Sequence, residues 1–281
     1  MTKLLAILLC LLMVFFSVFT LVSCDDKGPD DKNAQVDKDN NENENKNDDD
    51  DGGDGKTVSK LNGKTPEELY SLALEKVANL DNFRFDTTQV IEMEYDGQKM
   101  TMNQTVTSVK DGKNEYAKTT NDMSPETAME VWYVDNVFYG IMAGTKFYAN
   151  IPYEDYVENY MPEGATAEGS LMNIPESWFV DVKFNKVSSN EYYIEFTVSG
   201  EEYAEFMNNA LVDMVDGIDN ISYKVYFDGE GNLGDIITEF NMEISGIKAH
   251  TISTSKVSNI GTSKITAPAT DNEWLDYTDK I

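Results

Sequence analysis

Arginine, histidine and cysteine are nearly missing from this chain of 281 residues. There is one arginine, Arg84, and one histidine, His250, so catalysis by a histidine base has a single candidate. Cysteine occurs only at Cys10 and Cys24. Everything after Cys24 lacks a thiol for nucleophilic chemistry, a disulfide and a sulfur ligand for a metal. Basic side chains number 22 against 51 acidic ones, for a formal charge of −29. Such acidity argues against nucleic acid as a partner, because phosphate would be repelled. It argues equally against electrostatic docking on anionic lipid. No G-x-S-x-G elbow is present to present a nucleophilic serine. With 51 acids on the chain, any pair chosen as a glycosidase couple carries no signal. The apolar share, 41%, is still enough to build a core.

The first segment is apolar from Leu4 to Val22, after a short positive start at Lys3. It ends in Leu21-Val22-Ser23-Cys24, and Asp25 and Asp26 follow. A retained membrane helix would prefer basic residues after it. The pattern resembles a bacterial lipobox, which implies cleavage before Cys24 and acylation of its sulfur. Residues 1–23 are then expected to be a lipoprotein signal peptide, and acylated Cys24 the membrane anchor. An uncleaved signal anchor is the alternative.

Residues 25–60 hold 13 acids and 6 lysines and almost nothing apolar. No core can form from that composition, so 24–60 reads as the lipidated cysteine followed by a disordered acidic tether. Weak calcium binding at Asp48–Asp51 with Asp54 is a lesser alternative to a plain spacer.

Residues 61–281 read as one α+β domain. Thr65, Pro66 and Glu68 form a capping-box signature, and Leu69, Leu72, Ala73, Val77 and Leu80 recur at helical spacing. From Phe83 the period changes to two: Phe83, Phe85, Thr87, Gln89, Ile91 and Met93 alternate with polar residues. Asp96-Gly97, Asp111-Gly112 and Asp135-Asn136 are turn signals, and strands are predicted through Ile151. Strands resume at Trp178, a helix is predicted over 201–216, and three strands follow from Ile221 to Asn259. Long one-sided strands must twist and curl. The expected architecture is a strongly curved antiparallel sheet, a half-barrel, with helices packed on its concave face. Two smaller domains divided near 162–176 are the alternative.

The order resembles the LolA/LppX-like family of lipoproteins. The stretches that carry the resemblance are EELYSLALEKVANLDNFRFD, IEMEYDGQKMTMNQTV, VWYVDNVFYGIMAGTKFYANIP and YKVYFDGEGNLGDIITEFNMEISG, within 61–270. The resemblance implies a curved half-barrel that carries or senses lipidated cargo, with relatives among Gram-positive-type lipoproteins of unassigned function.

Few residues suggest chemistry. His250 alternates out of phase with Ile247 and Ala249 and is expected on the wet face. No zinc ligand set accompanies it, and neither a metal nor a cofactor is expected. Asp228, Glu230, Asn232 and Glu239 have calcium-loop spacing, but Leu233 stands where glycine is required, so a hairpin turn is expected. Aromatic residues and 13 methionines suit an adaptable apolar hollow. The segment 153–175 breaks the sheet with a short helix and an aperiodic loop. Tyr156, Tyr160, Met161, Leu171 and Met172 are the candidates to line its inner side, meeting Phe206, Met207 and Met214 from the later helix. The expected function is that of a membrane-anchored extracytoplasmic lipoprotein, not an enzyme, binding a lipid or other apolar ligand. The alternative is a cell-surface interaction protein with a filled core and a basic protein partner.

Overall fold

The computed structural model describes residues 56–57, 60–61, 63–159, 176–201, 217–244 and 246–278. Helix α1 (Pro66–Ala78) begins where the capping box places it. Thr65 Oγ1 accepts from the Glu68 amide at 3.3 Å, and Glu68 Oε2 accepts from the Thr65 amide at 2.7 Å. This reciprocal pair satisfies two otherwise orphaned donors and contributes about 1 kcal/mol. One stripe of the helix, Leu69, Tyr70, Ala73 and Val77, is buried. Each large apolar side chain so covered contributes about 1.5–3 kcal/mol.

Two antiparallel meanders make up the sheet. The first runs through β2 (Asn82–Tyr95), β3 (Gln98–Asp111), β4 (Asn114–Asn121), β5 (Met129–Val134), β6 (Val137–Met142) and β7 (Thr145–Asn150). The second runs through β8 (Val180–Ser188), β9 (Glu191–Val198), β11 (Ile221–Asp228), β12 (Leu233–Ile244) and β13 (Ile247–Ser258). Pairing of β13 with β2 along eleven consecutive positions, from Lys248↔Glu94 to Ser258↔Arg84, fuses the two. Helix α2 (Tyr153–Asn159) follows β7. The two-residue strand β10 (Gly217–Ile218) pairs with β12 beside this path.

Both margins of the open sheet are finished by stubs. Strand β1 (Lys56–Thr57) pairs with β8, and β14 (Leu275–Asp276) pairs in parallel with β7. Pairing on the first margin thus starts upstream of residue 60, the boundary expected for the tether. The C-terminal stretch that ends in β14 carries Trp274, which is buried and meets Tyr139 edge-on at 5.9 Å.

Alternation decides which side chains are covered. In β2, Phe83, Phe85, Thr87, Gln89, Ile91 and Met93 are buried while their neighbours are not. Cross-strand register carries this same face from Phe196 on β9 through Tyr223, Thr238, Ser253, Gln89 and Gln104 to Asn121 on β4. It continues from Glu115 through Tyr133 and Phe138 to Ala149 on β7. Helix α1 joins the main cluster on this face, and Tyr156 of α2 joins a second cluster with Tyr133, Ala149 and Ile151. The described helices therefore pack on one face of a large, mostly antiparallel sheet. The helix expected over 201–216 lies outside the described residues.

The turns agree with their sequence signals. Asp96 and Gly97 have φ of 50° and 73°, and Asp135 and Asn136 have 52° and 66°, the left-handed pair that a two-residue hairpin needs. Asp228 closes its own turn: Oδ1 accepts from the amides of Glu230 at 2.8 Å and Asn232 at 2.9 Å. The calcium-like spacing is the hairpin turn that Leu233 already suggested.

Candidate functional site

Among the ligand candidates named from the sequence, Tyr156 is described. Tyr160, Met161, Leu171, Met172, Phe206, Met207 and Met214 lie outside the described residues, as does Cys24. Tyr156 is buried and stacks on Tyr133 at 4.0 Å with 11° between the rings. Its hydroxyl donates to Glu115 Oε2 at 3.3 Å. Burial pushes the Glu115 carboxyl up to about 7, against the opposing pull of that hydrogen bond and of Lys110. Burial and the Glu115 charge together hold the Tyr156 phenol protonated far above the usual range. This constellation seats α2 on the sheet.

Among the described residues, a half-open concavity of about 790 Å³ lies at the end of the sheet near the β2–β3 and β12–β13 hairpins. Met93, Met100 and Met242 of the covered set line it, and the rest of the lining is mostly charged or polar, including Glu92, Glu94, Lys99, Glu243 and Lys248. Met93, Ala249 and Met242 are direct cross-strand neighbours, and Met100 lies opposite Met93. Methionine is flexible and polarisable, so such a wall adapts to irregular apolar guests. The size falls in the range of small-molecule sites.

His250 sits on the other face, as its phase indicated. Its Nδ1 is 2.9 Å from Asn241 Oδ1, and its Nε2 is 3.5 Å from Glu239. Arg84 forks onto Asp86 at 2.6 and 2.8 Å and is likewise on that face. Among the described residues there is no group of three or more His, Cys, Asp or Glu arranged to hold a metal ion.

One set of residues was passed over in the sequence. Gln89, Gln104 and Ser253 stand side by side on the covered face and are 3%, 1% and 3% exposed. Gln89 Oε1, both polar atoms of the Gln104 amide and Ser253 Oγ have no hydrogen-bond partner. Thr251 Oγ1 and Thr119 Oγ1, close by on the same face, are unpartnered too. The signal was legible as phase: Thr87 and Gln89 interrupt the apolar series between Phe85 and Ile91.

No family model matches the chain, and no curated protein does. Solved structures do. LprF from Mycobacterium bovis is 11% identical, with a TM-score of 0.35, covering 73% of this chain and 96% of that one. A DUF1329 family protein from Desulfovibrio piger is 14% identical, with a TM-score of 0.23, covering 72% and 95%. A LolA superfamily protein from Nitrosomonas europaea is 12% identical, with a TM-score of 0.24, covering 72% and 96%. The chain is similar to each of these at low identity.

Proposed function

We propose that this chain is a membrane-anchored extracytoplasmic lipoprotein that binds a lipid or other apolar ligand and performs no catalysis. The observation that carries the reading is the cavity of about 790 Å³ walled by Met93, Met100 and Met242. Met93, Met100, Ile218 and Met242 give this hollow at the sheet's end an apolar strip between charged rims, a composition that suits an amphiphile. In this reading the sheet curves as a half-barrel, with its helices on the concave side around the ligand. Cys24 carries the acyl anchor, and residues 25–55 let the domain, whose sheet begins at Lys56, reach away from the bilayer. Among the described residues no helix is long and apolar enough to cross a membrane.

The test is native mass spectrometry of the full chain purified from its own membrane. A co-purified lipid-sized adduct that leaves when the cavity is blocked by Met93→Trp supports the reading. A chain that carries no adduct, and takes up none when exposed to its own lipid extract, refutes it.

A further inference from the structure

From the cavity inward, the covered face is built in rows that the register defines. The first row is Met100, Met93, Ala249 and Met242. The second is Met102, Ile91, Thr251 and Phe240. The third is Asn121, Gln104, Gln89, Ser253 and Thr238, which is polar at every position across five strands. At about 3.4 Å per residue, the third row lies roughly 13 Å from the methionines.

Two features set the third row apart from ordinary core. Along β2 the same face is apolar at Ile91 on one side and, beyond Thr87, at Phe85 on the other. A filled core would continue that series, since an orphaned buried polar atom costs about 1–3 kcal/mol. Yet Gln89, Gln104 and Ser253 leave four polar atoms unpartnered, and Thr251 and Thr119 add one each beside them. These atoms are sealed from solvent and without partner, so the sequence retains groups that destabilise the unliganded fold.

The chemistry of the row defines what satisfies it. Amides and hydroxyls both donate and accept. No charged side chain belongs to the row, and Arg84, the one arginine, is committed to Asp86 on the opposite face. An ionised head would be buried here without a counter-charge, at a large cost.

Resting on the ligand-binding reading above, we propose that the ligand is an amphiphile with a neutral hydrogen-bonding head, held head-inward, the head on Gln89, Gln104 and Ser253 and the chain along the methionines. Reaching the row requires the buried second row, Met102, Ile91, Thr251 and Phe240, to yield, and the recovered hydrogen bonds offset that cost. The orientation keeps the apolar chain next to Met93 and Met242 near the mouth.

The test uses the mature chain, residues 24–281 with Cys24→Ser to keep it in solution. Uptake of the neutral dye N-phenylnaphthylamine is measured first, then its displacement by monodecanoylglycerol and by decanoate at a pH where decanoate is ionised. Monodecanoylglycerol should displace the dye at about tenfold lower concentration than decanoate. The double variant Gln89→Met with Gln104→Met keeps side-chain shape and removes the polar atoms. It should lose about tenfold for monodecanoylglycerol, leave decanoate unchanged and melt higher than the parent. Should that variant not fold, Ser253→Ala should lose about threefold for monodecanoylglycerol alone. Equal displacement by both amphiphiles overturns the proposal, as does a variant that weakens both alike. A variant that melts lower and binds monodecanoylglycerol as before assigns the row to ordered water, and that too overturns it. A parent that takes up no dye overturns the ligand-binding reading itself, and the head-inward orientation with it.

Discussion

Replacing Glu115 by glutamine separates the cost of a buried charge from the packing around it. Glu115 lies opposite Lys110 on β3 and Tyr133 on β5, and it accepts the Tyr156 hydroxyl from α2. Tyr153 also faces it, with Lys113 over the Tyr153 ring at 4.7 Å, and Glu154 and Asp155 add negative charge around Tyr133. Burial raises the carboxyl from 4.5 to about 7. A raised carboxyl binds its proton more tightly in the folded chain than in the unfolded one. The stability tied to that proton is complete below pH 4.5 and is lost as the pH climbs through about 7. At about 1.4 kcal/mol per pH unit the interval amounts to roughly 3 kcal/mol. Partial exposure of the half-buried residue trims this to about 2 kcal/mol. Glutamine still accepts from Tyr156 and never ionises. Glu115→Gln should therefore melt with the parent at pH 4.5 and above it at pH 8, by about 4–8 °C for a domain of this size. Circular-dichroism melts across that range read the difference directly. An equal gain at both pH values would mean that packing, not charge, was altered, and no gain at pH 8 would mean that the carboxyl is well solvated. Either result refutes the account of how α2 is seated.

Other substitutions probe other links. Cys24→Ser should abolish incorporation of labelled fatty acid and release the chain from membranes; labelling that persists would rule out the anchor. Limited proteolysis should cut within 25–55 and leave a resistant core from about Lys56 onward, read by N-terminal sequencing; early cuts between 83 and 150 would contradict a continuous sheet. Gly200→Ala places a methyl group against the backbone carbonyls of Ile218 and Asp219, which cannot swing aside as a side chain would. It should cost about 1–3 kcal/mol in urea unfolding. Trp274→Ala empties a buried site beside Tyr139 and should cost about 3–5 kcal/mol, with loss of protection at the β7 amides in hydrogen exchange.

Local chemistry was the legible part of this fold. The capping box at Thr65 and Glu68, the two-residue turns at Asp96-Gly97 and Asp135-Asn136, and the alternation along β2 act over a few residues, so they stand in the sequence as written. Pairing of β13 with β2 is different, because Ser258 and Arg84 are far apart in the chain and nothing local names the partner. Two-residue strands such as β1 and β14 have no period to detect. At the site, phase betrayed that Gln89 faces inward, whereas its lack of a partner depends on what register sets beside it. The second cluster under Tyr156 was missed for a related reason: Glu115 is polar in sequence, and its partner Tyr156, stacked on Tyr133, comes from a helix well along the chain.

The stubs at the sheet's margins have a consequence for how these molecules behave when crowded. An open sheet offers two rows of free backbone groups, and molecules confined to a surface meet margin to margin far more often than in bulk solution. Here each margin is claimed by a segment near one end of the chain: Lys56–Thr57 on β8 and Leu275–Asp276 on β7. A neighbour arriving at either side finds a strand too short to template a second sheet. Beside it lie acidic groups such as Asp271, Glu273 and Asp276. A two-residue stub is a poor template for a further strand where it pairs, so each margin is shielded at that point. Truncation before Leu275 would remove it on one side and leave β7 free to recruit another copy.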